Sequence, residues 1–277
     1  MNNRNLLYAL ALACLLLVFG AWVLTFFHYG AAVRQSPPAQ VQTALHTGPV
    51  AEPQFNPPRP QDAPEGIREA VILGYNILED TAQYAPEHAG NELACSTCHL
   101  EAGRSKNSIS LVGAAATYPR FSSSHKGSID LAQKVQDCFA RNLNATPPAL
   151  GSREMQAILA YLQWISKDIP VYASIPWALP VSLGGSHKAD AASGAQVYTD
   201  ACAACHGEAG DGSPPLWGKG AYTDGSSLHD INTFAVFTHR FMPPDAATLT
   251  PEQALDVSSY VNAQPRPVFS AQPAQGK

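Results

Sequence analysis

The chain has 277 residues, of which 45% are hydrophobic and 14% charged. That balance supports a packed protein and excludes a wholly disordered one. Seventeen Lys and Arg stand against 22 Asp and Glu, for a net charge of -5. A nucleic-acid binder needs a basic face, so no nucleic-acid partner is expected. Six Cys in this length fall short of disulfide-scaffold density, and their spacing decides what they do.

Residues 6–27 run for 22 positions without a formal charge. A spanning helix needs roughly 20 residues, whereas the apolar region of a signal peptide has about 7–15. Residues 1–30 are therefore expected to form a membrane anchor, with Arg4 on the cytoplasmic side and the rest exported. Ala31 and Ala32 leave a cleaved leader open as the other reading. Cys14 follows Ala11-Leu12-Ala13, as in a lipoprotein site, but the apolar run continues well past it and favours a buried helix residue. Residues 31–65 form a tether. Eight prolines between 35 and 65 leave no helix or strand period there, and such composition gives a semi-rigid, extended spacer.

The next feature occurs twice. Cys95-Ser96-Thr97-Cys98-His99 and Cys202-Ala203-Ala204-Cys205-His206 are both C-x-x-C-H, the attachment signature of c-type haem. Two thiols bond the porphyrin vinyl groups, and the adjacent imidazole ligates the iron. A structural zinc site would place its two C-x-x-C pairs about 15–20 residues apart; Cys98 and Cys202 are 104 positions apart. A thioredoxin-like redox pair has no need of a following His. Two covalently bound haem c groups are expected.

The surroundings repeat as well. A helical pattern with Gly and a large residue four positions later precedes each motif, as Gly74/Leu78 and Gly194/Tyr198. Another helix follows each. The first carries Ile158, Leu159, Tyr161 and Leu162 behind Ser152 as N-cap. The second begins at Thr250 with Pro251 and Gln253, a capping box with proline at the first helical position. No strand alternation is evident. The expected fold class is mainly α, with two tandem class I cytochrome c-like haem domains behind an N-terminal transmembrane helix. Domain one covers 66–170, a linker rich in Pro and Gly covers 171–186, domain two covers 187–268, and 269–277 form a tail.

Each iron needs a second axial ligand. In domain two, Met242 precedes Pro243-Pro244, and His/Met ligation suits a high-potential carrier. A Met is more often a core gap-filler, but the chain has only three. His239 is the main rival, with His229 and Lys219 behind it. Domain one has Cys138 at the comparable place. Leu131, Val135, Cys138 and Phe139 share one helical face. A buried free Cys is common, yet a thiol near a haem iron with no disulfide partner points toward ligation, which lowers the potential and admits sulfur chemistry.

At these residues the chain resembles the dihaem thiosulfate dehydrogenase (tetrathionate synthase) family, which is related to SoxA-type cytochromes. The carrying segments are Asn91 to Leu100 with Gly103, Tyr118-Pro119-Arg120 and Val135 to Asn144. Domain two adds Cys202 to Gly207, Pro215 to Gly218, Met242-Pro243 and Asp256-Val257 through Pro265-Arg266-Pro267. The likeness covers about 66–268. It implies His99/Cys138 ligation at an active-site haem and His206/Met242 ligation at an electron-exit haem. Some relatives carry a Lys just before the Met; here that residue is Phe241. Many have Arg-Ser-x-Asn-Gly after the Cys, where this chain has Arg141-Asn142-Leu143-Asn144-Ala145. A membrane anchor is a further departure.

The implied reaction joins two thiosulfates into tetrathionate and releases two electrons to an external acceptor, in either direction. A dianionic substrate needs cations. Residues 101–141 hold Arg104, Lys106, Arg120, Lys126, Lys134 and Arg141 against Glu101, Asp130 and Asp137. Arg104, Arg120 and Lys126 are the expected anion contacts, beside Cys138 as the reacting thiolate. Two other readings stand. One is a membrane-tethered dihaem carrier without its own substrate, such as an oxidase or dehydrogenase subunit. The other is a subunit of a SoxA-like complex. The expected location is the inner membrane, with the haem domains in the periplasm.

Overall fold

The computed structural model describes residues 52–244 and 246–270, together with Phe19 and Ala21. The chain divides into two units, Met1–Ala51 and Glu52–Lys277. The second unit holds both C-x-x-C-H motifs. Its helices are α1 (Glu65–Glu79), α2 (Thr81–Tyr84), α3 (Leu131–Asn142), α4 (Arg153–Ile165), α5 (Ala191–Ala201), α6 (Ala203–His206), α7 (Ile231–Phe241) and α8 (Pro251–Asn262). One antiparallel hairpin, β1 (Arg120–Ser122) with β2 (Gly127–Ile129), lies between α2 and α3. Each strand has three residues, too short for alternation to register in the sequence.

The fold expectation needs one correction. No helix among the described residues is long and apolar enough to cross a membrane. The longest described element, α1, has 15 residues, short of the roughly 20 a span requires. The N-terminal transmembrane helix is therefore not supported, nor is the membrane as a partner through it. Residues 6–27 lie outside the described residues apart from Phe19 and Ala21, as do tether residues 31–51 and tail residues 271–277.

The two halves are built alike. In the first, α1 crosses α4 at Gly74; a Cβ there would sit 2.1 Å from the Ala157 carbonyl oxygen and 2.7 Å from Tyr161 Cβ. In the second, α5 crosses α8 at Gly194, where a Cβ would sit 2.0 Å from the Asp256 carbonyl oxygen. Only the missing Cβ lets the backbones approach this closely. Tyr161 is fully buried and donates its hydroxyl to the Ala102 carbonyl at 2.9 Å. Tyr198, Trp217 and Tyr260 form a cluster with centroids 5.0–6.0 Å apart.

Local chemistry starts these helices. Ser152 Oγ accepts from the Met155 N–H. Thr250 and Gln253 form a reciprocal capping box with Pro251 in the first turn, as the sequence led us to expect. Asp130 and Gln133 form another at the start of α3.

Residues 171–183 do more than connect the halves. Trp177 is buried and donates its indole N–H to the Val112 carbonyl at 2.9 Å. Ile175 presses on Gly113. The segment is a strap packed on the first half.

Candidate active site

The first C-x-x-C-H begins in a 3-10 turn, Cys95–Thr97, whose Thr97 hydroxyl accepts from the Ala94 N–H at 3.0 Å. The His99 ring reaches the Ile109 carbonyl through Nδ1 at 2.6 Å. A carbonyl only accepts, so Nδ1 carries the proton and Nε2 keeps its lone pair for a metal. Burial holds the His99 pKa below its ordinary value, with the Ile109 hydrogen bond opposing and Lys134 adding to the depression. Burial also pushes the Cys95 and Cys98 thiols up to about 12.

Cys95 and His99 line a cavity of about 370 Å³ with Cys138. Leu78, Leu111, Val112, Val135, Phe139 and Leu162 supply much of its apolar wall. The strap contributes Ile175, Ala178 and Leu179. Cys98 lines a small further pocket with Cys95, His99 and Cys138, and together these three thiols and the imidazole fit a haem c.

Cations are few here. Of the expected contacts, Arg120 lines the cavity, and Arg104 and Lys126 do not. Arg104 donates to the Pro57 carbonyl at 3.3 Å. Lys126 is exposed at the hairpin turn, with φ at +51°. Its place is taken by half-buried Lys134, one helical turn before Cys138 on α3. That spacing was a signal available in the sequence. Tyr118 lines the cavity too, with the Arg120 guanidinium 4.7 Å from its ring centroid. Burial raises the Tyr118 pKa, with Arg120 opposing, so the phenol stays a neutral donor.

The second C-x-x-C-H spans the α5–α6 junction. His206 Nδ1 donates to the Pro214 carbonyl at 2.8 Å, again leaving Nε2 free. Burial raises the Cys202 thiol to about 11. A narrower cavity is lined by Cys202, Cys205, His206 and Met242, with Leu216, Phe234, Phe237 and Leu249. No Lys or Arg lines it. This donor set also fits a haem c. His239, Met242's rival, is absent from the lining; its Nδ1 donates to the Leu249 carbonyl at 2.7 Å. His229 and Lys219 are absent as well. Thr97, from between the first pair of Cys, lines this second cavity and brings the two sites together.

Known proteins are similar to this chain in sequence and fold. Residues 81–171 match the SoxA/TsdA cytochrome c domain, and residues 189–261 match a domain described as cytochrome c oxidase, cbb3-type, subunit III. A thiosulfate dehydrogenase of Stutzerimonas stutzeri is 37% identical over 230 residues, covering 78% of this chain and 74% of that protein. The chain belongs to the thiosulfate dehydrogenase family. Another member, from Allochromatium vinosum, is 34% identical and covers 74% of this chain and 82% of its own. The thiosulfate dehydrogenase TsdBA of Marichromatium purpuratum, in its "as isolated" form, superposes with a TM-score of 0.74 at 30% identity. That match covers 80% of this chain, which spans about half (51%) of the TsdBA chain. As a thiosulfate dehydrogenase family member, the protein is an oxidoreductase with two haem c groups, one in each cytochrome domain. This sets aside the substrate-free carrier reading.

Proposed function

We propose that the cavity at Cys138 couples two thiosulfates into tetrathionate, and that the Met242 site passes the released electrons on singly to an external acceptor. One observation carries this division of labour. Cys138, Tyr118, Arg120 and Lys134 line one cavity with Cys95 and His99, whereas the second cavity offers a thioether and no cation. The first thus joins a nucleophile to anion contacts, and the second has neither.

The ligands in this reading are His99 and Cys138 at the first site and His206 and Met242 at the second. Cys95 with Cys98, and Cys202 with Cys205, are the attachment pairs. When bound, the haems supply one-electron acceptors for the two electrons that sulfur coupling releases. The remaining work falls to side chains. Arg120 and Lys134 attract the dianion and orient its oxygens, and the Tyr118 hydroxyl adds a neutral donor. The Cys138 thiolate bonds the outer sulfur of the first thiosulfate, with loss of two electrons from the pair. The outer sulfur of the second thiosulfate attacks that sulfur. The sulfur–sulfur bond of tetrathionate forms, the bond to Cys138 breaks, and the thiolate leaves unchanged. Apolar strap residues Ile175 and Leu179 keep bulk water from the persulfide-like bond.

The location proposed is outside the cytoplasm, where c-type haem is attached. The test is ferricyanide reduction by the haem-loaded protein with thiosulfate as donor, with tetrathionate measured alongside. Two thiosulfates consumed per tetrathionate is the expected result. Full haem loading without turnover, from mildly acidic to neutral pH, would overturn the proposal.

A further inference from the structure

We infer that the second cytochrome domain positions Cys138: its loop Ala221–Ser226 clamps the last turn of α3, one turn beyond the thiol. The inference rests on Cys138 acting at the first site as proposed above.

Within its own half, the helix that carries Cys138 is held along its middle: His125 hydrogen-bonds Asp137 at 2.9 Å, Gln136 donates to the Pro148 carbonyl at 3.0 Å, and His88 packs edge-on against Phe139. It packs only lightly on α4. Its apolar face, Leu131, Val135, Cys138 and Phe139, is turned into the cavity. Its C-terminal end is gripped mainly from the second half. The Arg141 carbonyl accepts from the Thr223 N–H at 3.0 Å and from the Thr223 hydroxyl at 2.7 Å. The Arg141 guanidinium donates to the Gly225 carbonyl at 3.0 Å and lies 4.4 Å from the Phe269 ring centroid. Asn142 Oδ1 accepts from the Ser226 hydroxyl at 2.6 Å. Finally, Asn91 Nδ2 donates to both the Asn142 carbonyl at 2.7 Å and the Ala221 carbonyl at 3.0 Å. One amide thus joins the segment before Cys95, the end of α3 and the second half.

These bonds meet a helix end whose last carbonyls have no intrahelical partner. A loop that supplies both donors to the Arg141 carbonyl and a third to Asn142 Oδ1 fixes the axis and rotation of the last turn, and so the direction of Cys138. The loop is itself held. Tyr222 donates to Asn262 Oδ1 at 3.0 Å, Asn262 donates to the Leu228 carbonyl at 2.9 Å, and Arg266 stacks 4.4 Å from the Tyr222 ring centroid.

The test uses the haem-loaded enzyme with Thr223→Val, Asn142→Ala and the two combined, beside Thr223→Ser as the conservative variant. Low-temperature electron paramagnetic resonance reads the ligation of the first haem, and steady-state turnover is normalised to bound haem. We expect the double variant to show a heterogeneous first-haem signal and roughly tenfold lower kcat, since misplacement of a reacting group by about 1 Å can cost up to about a hundredfold. The KM for thiosulfate and the second-haem signal should stay as in the parent. Thr223→Ser should keep parental signal and rate. A loss of stability alone would lower the melting temperature and leave both readouts per haem unchanged. A parental signal with kcat within about twofold in the double variant would overturn the inference. Should the double variant fail to load haem, Asn142→Ala alone decides by the same two readouts, since it removes one hydrogen bond. A parent that lacks a thiolate signal would instead overturn the ligation on which the inference rests.

Discussion

Arg120 stacks its guanidinium 4.7 Å from the ring centroid of Tyr118, and both side chains line the cavity that Cys138 enters. The stack holds a flexible cation in one place at the mouth of an otherwise apolar pocket. Lys134 brings a second cation from α3. An anion bound between them meets two charges while losing water, where charge-assisted hydrogen bonds are strongest.

Neutralising either cation should therefore weaken substrate capture. Arg120→Gln and Lys134→Gln are each expected to lower kcat/KM for thiosulfate by about 1.5–3 kcal/mol, roughly tenfold to a hundredfold, mainly through KM. Arg104→Gln and Lys126→Gln should change it less than about twofold, because neither lines the cavity. Steady-state kinetics across ionic strength checks this: equal losses in all four variants would mean that general field, not contact, attracts the substrate.

Cys138 carries the sharper test. Cys138→Ala should leave both haems attached, because the attachment thiols are Cys95, Cys98, Cys202 and Cys205 in this reading. Turnover should fall by at least about a hundredfold, since the group that bonds sulfur is gone. Haem content by pyridine haemochrome and tetrathionate formation measure the two halves. Full activity in Cys138→Ala would remove the thiolate from the mechanism.

Parts of this arrangement were legible in the chain. The spacing within each C-x-x-C-H is chemistry written locally, and so is a capping box such as Thr250/Gln253. The shared face of Leu131, Val135, Cys138 and Phe139 follows from helix geometry, and all four do line one cavity. What sequence could not rank was the set of cations. Arg104 turns to Pro57 and Lys126 sits at a hairpin tip, and both depend on contacts distant in the chain. The prolines of 171–186 read as a linker, yet Ile175, Trp177 and Leu179 interleave with them. That apolar spacing was the sign of a strap packed on the first half, where Trp177 reaches Val112. The grip of Thr223 on Arg141 spans 82 positions and leaves no local trace.

At the second site, Met242 and His239 can be separated directly. Met242→Leu should abolish the far-red band of a thioether-ligated ferric haem and lower that haem's potential, since thioether ligation raises it. His239→Asn should keep the band, because the imidazole lies outside the cavity lining. Optical titration of both variants decides. Loss of the band in His239→Asn and retention in Met242→Leu would exchange the two roles.

The helix crossings should be intolerant of a single methyl group. In Gly74→Ala the new Cβ would meet the Ala157 carbonyl at 2.1 Å, and in Gly194→Ala the Asp256 carbonyl at 2.0 Å. Helix propensity favours Ala over Gly by about 1 kcal/mol, so a crossing without steric demand would be stabilised. Here both neighbours are backbone atoms that no rotamer change can move, and the helices must separate instead. Overpacking of this kind costs about 1–3 kcal/mol or more, and that outweighs the propensity gain. Each variant should melt several degrees below the parent in a calorimetric scan of the haem-loaded protein. The penalties should be nearly additive in the double variant, because each methyl group sits in a different domain core. A melting temperature that rises in either variant would show that the crossing there is looser than its geometry requires.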